Sequence, residues 1–126
     1  MLPIDSPYVL LVDDDYDLRI VTSLALQEKI KVVSVPNGLE AIKTLVVGLR
    51  HNNLPCLIFL DLNMPLFNGW EVLELMDVAQ PKIRDIPVVV TSGEERSPDA
   101  KYRFRLIRKP YSISDLVNEI ELARCQ

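Results

Sequence analysis

The stretch Tyr8-Val9-Leu10-Leu11-Val12 is apolar from end to end, with no polar residue at alternate positions. Residues 56–60 and 86–90 share that character. A strand with one wet face alternates polar and apolar residues. A strand that does not alternate is buried on both faces, as in parallel sheets covered by helices. Between these runs the apolar period lengthens. From Asp15 to Lys29, Leu18, Val21 and Ala25 fall on one helical face. After Asn37, Leu39, Ile42, Val46 and Leu49 do the same. Strand-like runs alternating with helical periods predict an α/β fold with a parallel sheet and helices on both faces.

The remaining elements follow from the same reading. Residues 31–35 and 105–108 are two further strands. Pro87 is tolerated only because it opens the fourth strand. Asn37 caps the second helix, with Glu40 three positions on as in a capping box. Ser112 and Asp115 repeat that pattern at the last helix. Trp70 to Ala79 reads as a helix with Val72, Met76 and Ala79 inward. The last helix carries the stripe Ile113, Leu116, Val117, Ile120 and Ala123.

Each long apolar run ends in a polar group. Val12 leads into Asp13-Asp14-Asp15, Leu60 into Asp61-Leu62-Asn63-Met64-Pro65, and Val90 into Thr91-Ser92. The fifth strand leads into Lys109-Pro110. Open α/β sheets bind ligands beyond the carboxyl ends of their strands, where strand order reverses. Crowded carboxylates repel unless a cation neutralises them. Oxygen-only ligands select a hard ion, and Mg²⁺ fits best, because it uses one or two carboxylates together with phosphate oxygens. An aspartate can attack a phosphoryl group and form an aspartyl phosphate. Mg²⁺, the Thr91 hydroxyl and the Lys109 ammonium would each serve one oxygen of the transferred group. Taken singly, each residue has an ordinary reading: Asp13 to Asp15 as helix-capping acids, Asp61 as a loop acid, Thr91 as a strand-end hydroxyl, Lys109 as a surface charge. Their order, each after a strand, favours a joint site.

Bulk properties agree. The 126 residues suit one domain, 48% are hydrophobic, and the formal net charge is -4. That acidity argues against direct nucleic-acid binding. No apolar run is long enough to cross a bilayer, and Met1 to Pro7 lacks the regions of a signal peptide. Cys56 and Cys125 form no motif. Cys56, within an apolar run, reads as a buried small side chain, and two unpatterned cysteines fit a reducing cytoplasm.

From Tyr8 to Ala123 the chain resembles the response-regulator receiver domain of two-component signalling. The motifs are Asp13-Asp14, Asp61 with Asn63-Met64-Pro65 and Gly69, Thr91, and Lys109-Pro110. The resemblance implies a flavodoxin-like, doubly wound five-stranded sheet of order 2-1-3-4-5, forming a single receiver domain over residues 1–126. It implies that Asp61 is phosphorylated by a sensor histidine kinase or a histidine phosphotransfer protein. Asp14 and Asp61 would ligate Mg²⁺ directly, Asn63 through its carbonyl, and Asp13 through water. Lys109-Pro110 would be cis. The protein would then be a cytoplasmic phosphorelay switch rather than an enzyme acting on outside substrates, with a downstream protein as target. Met1 favours a stand-alone regulator over a phosphate-sink receiver cut from a longer signalling protein.

Two departures stand out. The stretch between Thr91 and Lys109 is short by about one helical turn. A shortened or irregular fourth helix is therefore expected, with a loop from Ser92 to Asp99 as the moving element and at most one turn capped by Ser97 before Pro98. Leu106 also stands where the family often carries a switch aromatic. The basic stretch Lys101, Arg103, Arg105, Arg108 and Lys109 reads as a charge-guarded edge strand or an acidic-partner surface. The rival from another class is an aspartyl-nucleophile phosphatase of the haloacid-dehalogenase type. It generally needs an acid/base Asp two residues after the nucleophile, where this chain has Asn63.

Overall fold

The computed structural model describes residues 7–93 and 102–125. Five strands, β1 (Tyr8–Val12), β2 (Lys31–Val35), β3 (Leu57–Asp61), β4 (Val88–Ser92) and β5 (Arg105–Arg108), form one parallel sheet of order β2-β1-β3-β4-β5. The helices are α1 (Tyr16–Leu26), α2 (Gly38–Arg50), α3 (Gly69–Asp77), the single turn α4 (Pro81–Arg84) and α5 (Ile113–Leu122). This is the expected flavodoxin-like order. The helix expected between β4 and β5, with Ser97, Pro98 and most of the Ser92-to-Asp99 loop, falls on residues 94–101, outside the described ones.

Burial explains the missing alternation. One sheet face sends Leu10, Val12, Ile58, Leu60, Val88 and Val90 against Ala41 and Leu45 of α2 and Val72, Leu73 and Met76 of α3. The other sends Val9, Leu11, Leu57, Phe59 and Val89 against Leu26 of α1 and Leu116 and Ile120 of α5. Every residue of β1, β3 and β4 is buried. Truncating one of these side chains, Leu60→Ala for instance, would cost about 2–5 kcal/mol.

The N-caps form as anticipated, although at α2 only the Asn37 half of the expected box is made. The Asn37 side chain accepts the Glu40 N–H at 2.9 Å. At α5 the Ser112 Oγ accepts the Asp115 N–H at 3.1 Å, and Asp115 accepts the Ser112 N–H in return at 2.9 Å. A second complete capping box, Asn68 with Glu71, starts α3 and was not anticipated.

Three expectations need correction, and one turn is new. In α1 the inward face is centred on Thr22 and Leu26, while Val21 and Ala25 point outward. In α2 Leu39 and Val46 are exposed; the small residues Gly38, Ala41 and Gly48 face inward with Leu45 and let the helix lie close. The turn α4 was unforeseen, although Pro81 at its first position is a start signal. Cys56 is only half-buried, and it forms a disulfide with Cys125, 69 residues away. The fold brings the entry of β3 beside the end of α5, which no spacing in the chain announces. A bridge closing so long a loop contributes roughly 4 kcal/mol in the chain-entropy account.

Candidate phosphoryl and cation site

The carboxyl ends of β1, β3, β4 and β5 bring the sequence-identified residues together. Asp13 follows β1 directly, and its N–H donates to Val35 O at 3.2 Å, which ties it to β2. Its carboxylate accepts the Asp15 N–H at 2.9 Å. Asp15 is turned away from the cluster and caps α1, accepting the Leu18 N–H at 3.1 Å. Asp13 is buried and Asp14 exposed. Asp61, the last residue of β3, is buried and lies opposite Thr91 in the β3–β4 register. One carboxylate oxygen from each of Asp13, Asp14 and Asp61 lies within 4.8 Å of the other two.

Lys109 enters from the turn after β5, its N–H donating to Ser92 O at 2.8 Å. Its Nζ is 2.8 Å from Asp13 Oδ2 and 3.4 Å from Asp61 Oδ2. The Lys109-Pro110 bond is cis, as expected. Thr91 is fully buried in β4, within the strand rather than after it. Asn63 is exposed, and its N–H donates to Asp61 Oδ1 at 3.2 Å.

The loop behind Asp61 is tightly built. Gly69 is required by close approach, since a Cβ there would lie 2.5 Å from Asp61 O. Leu66 and Phe67 both adopt left-handed backbone, with φ of 51° and 76°. Such conformations are costly for side chains of this size and concentrate at functional sites. They turn the loop toward α2, where Leu39 N–H donates to Leu66 O at 3.4 Å.

Electrostatics follow from this crowding. Burial pushes the Asp61 carboxyl above its ordinary range and Asp13 adds to the shift; Lys109 and the Asn63 N–H only partly oppose them. Burial alone would lower the Lys109 ammonium. The hydrogen bond and charge of Asp13, together with Asp61, outweigh it and hold the group above its usual value. Among the described residues, three carboxylates thus gather around one ammonium. A hard dication suits that donor set.

Three neighbours were missed from the sequence. Arg19 Nη1 donates to Asp13 O at 2.7 Å. The hydroxyls of Tyr111 and Thr22 are buried and make no hydrogen bond among the described residues. Burial raises the Tyr111 phenol, and Asp13 raises it further. Thr22 is near enough to lower it slightly without reaching hydrogen-bonding geometry. Arg19 reaches back to Asp13 from only six residues on, while Tyr111 and Thr22 meet only through packing of α1 on the turn before α5, which no spacing marks.

Comparison with known proteins agrees with this architecture. The chain is 23% identical to the chemotaxis protein CheY4 of Vibrio cholerae, with a TM-score of 0.74 over 96% of this chain and 99% of that one. It is 26% identical over 116 residues to sporulation initiation phosphotransferase F of Bacillus subtilis, covering 90% of each chain. It is 27% identical over 124 residues to the transcriptional regulatory protein PrrA of Mycobacterium tuberculosis, covering 94% of this chain but only 50% of PrrA. The chain therefore spans half the length of that relative. Among the described residues no helix is long and apolar enough to cross a membrane. Residues 9–121 match the response regulator receiver domain, and with sheet order and strand-end acids in agreement, the chain belongs to that family of two-component signalling domains.

Proposed function

We propose that residues 1–126 act as one cytoplasmic receiver domain in which Asp61 accepts a phosphoryl group from a histidine kinase or histidine phosphotransfer protein. The observation that carries this reading is the placement of a buried Asp61 3.4 Å from Lys109 and inside the three-carboxylate cluster. The relative named as a sporulation initiation phosphotransferase supports it.

Asp13, Asp14 and Asp61, with the Asn63 carbonyl, are the residues that would hold Mg²⁺. When bound, the ion supplies positive charge to the acid cluster and to the phosphoryl oxygens. An Asp61 oxygen attacks phosphorus in line with the donor imidazole. The O–P bond forms, the P–N bond breaks, and the electron pair leaves on the imidazole nitrogen, which then takes up a proton. Lys109 moves its donors from Asp13 to one phosphoryl oxygen, and the Thr91 hydroxyl donates to another. The outcome is a signal read by a protein target, not turnover of an external substrate.

Incubation with a small acyl-phosphate donor and Mg²⁺, followed by peptide mapping, tests the assignment. Label on the peptide carrying Asp61, absent when Mg²⁺ is chelated, is the expected result. Label on any other residue with Asp61 unmodified would refute it.

A further inference from the structure

We propose that Cys56 and Cys125 form a reversible redox site, open to exchange with small disulfides of the glutathione class, whose oxidation fastens the turn behind α5 to the entry of β3. The proposal does not depend on the role of Asp61, because the site lies at the far end of α5 from Lys109. That helix has ten residues, about 15 Å of length.

The geometry shows why this pair can bridge and why bridging has a local consequence. The two Cα atoms are 5.7 Å apart, a spacing that a disulfide spans without backbone movement. Cys56 stands on a fixed base: its N–H donates to Tyr8 O at 2.9 Å, which anchors it to the start of β1. Cys125 stands on a weak one. Arg124 adopts left-handed backbone with φ of 56°, a conformation that a side-chain-bearing residue adopts at a cost. The turn is closed by Arg124 N–H to Glu121 O at 3.1 Å and Cys125 N–H to Ile120 O at 3.3 Å. Leu122 and Arg124 are exposed, and the segment's apolar contact is limited to Ala123 and Cys125, each only partly buried against the core. A turn with few buried contacts opens at low free energy unless something else holds it. Both sulfur-bearing residues are half-buried, which leaves them reachable by a small reagent.

The chemistry balances as two thiol–disulfide exchanges. One cysteine thiolate attacks a sulfur of the small disulfide; its S–S bond breaks, a mixed disulfide forms, and one small thiolate leaves. The second cysteine thiolate then attacks the protein sulfur of the mixed disulfide and expels the other small thiolate. The protein has lost two electrons, the small disulfide has gained them, and its two thiolates take up the two protons. A small dithiol in excess reverses both steps.

The experiment uses the folded, reduced full chain equilibrated with mixtures of reduced and oxidised glutathione, followed by alkylation and intact mass. The bridged fraction should rise as the mixture becomes more oxidising and return to two alkylated thiols with dithiothreitol. Cys125→Ser and Cys56→Ser should each stop at a mixed disulfide. Hydrogen exchange should be about tenfold or more slower at Ala123 to Cys125 in the bridged form, while phosphoryl uptake stays the same. Two alkylatable thiols at every glutathione ratio, or a bridge that forms only in denaturant, would overturn the site. Equal protection of Ala123 to Cys125 in both forms would overturn the fastening.

Discussion

At the carboxyl edge of the sheet, Asp13 and Asp61 are buried with Asp14 beside them, and Lys109 divides its contacts between two of the three. At the amino edge, Glu119 is buried to a similar degree, 6% exposed against 5% for Asp61. There, however, Arg105 meets both of its oxygens, Nε at 2.6 Å and Nη2 at 3.1 Å. Both edges bury acids near β strands of one sheet. One edge pairs its acid in a fork, the geometry in which a carboxylate is best satisfied. The other gathers more negative charge than its ammonium can neutralise. The contrast separates a charge kept for structure from charges kept for a ligand. Repulsion that costs stability in the free protein is the binding free energy a cation and a phosphoryl group can use.

The largest expected effect comes from removing the cation that straddles the cluster. Lys109→Ala should slow phosphoryl uptake by roughly a hundredfold or more, because the transferring group loses a positioned donor. Its Mg²⁺ affinity should be equal or higher, since a positive charge leaves the acids. Stopped uptake assays and Mg²⁺ titrations on the same sample check both. Weaker Mg²⁺ binding in a folded Lys109→Ala protein would show that the ammonium supports the metal site instead.

Next comes the repulsion itself. Asp61 is held above its ordinary range in the folded chain, so folding favours its protonated form. Its contribution is therefore unfavourable above the unfolded carboxylate range, near pH 4, and grows as pH rises toward the folded value. Asp61→Asn removes that term. In chelator at neutral pH the variant should be more stable than the parent, with the gain vanishing below about pH 4. Urea unfolding across pH measures it, and a gain that persists undiminished in acid would mean the effect is not electrostatic.

Asp14→Ala probes the exposed member. The rise in Tm that Mg²⁺ gives the parent should largely disappear, while the metal-free Tm changes by about 3 °C or less, and upward. A full Mg²⁺ response in this variant would remove Asp14 from the ligand set. The smallest effect belongs to the paired edge. Glu119→Gln keeps the shape of the fork but not its charge, so a slight loss of thermal stability with unaltered Mg²⁺ response is expected. A changed Mg²⁺ response there would break the contrast between the edges.

The sheet was legible because burial on both faces leaves a signature, the unalternating runs through Leu10, Phe59 and Val89, that few other structures produce. The convergence of Asp13, Asp14, Asp61, Thr91 and Lys109 was legible for the same reason: each stands at the end of such a run, and parallel strands put those ends together. Helix facing was less so. In α1, Tyr16, Ile20, Val21 and Leu24 are exposed although apolar, while the buried centre is Thr22, so hydrophobicity alone points the wrong way round the helix. The turn at Pro81 is too short to show a period. Cys56 and Cys125 meet only through the packing of α5 on the sheet, as do Tyr111 and Thr22 beside Asp13. Contacts made across helices leave no mark in local spacing.

The most direct test of the contrast sets three proteins side by side: parent, Glu119→Gln and Asp61→Asn. Each is incubated with a small acyl-phosphate donor and Mg²⁺ and read by intact mass under identical conditions. Parent and Glu119→Gln should each gain the mass of one phosphoryl group, and Asp61→Asn should gain none while remaining folded. Equal phosphoryl uptake by Asp61→Asn and the parent would contradict the account at its centre.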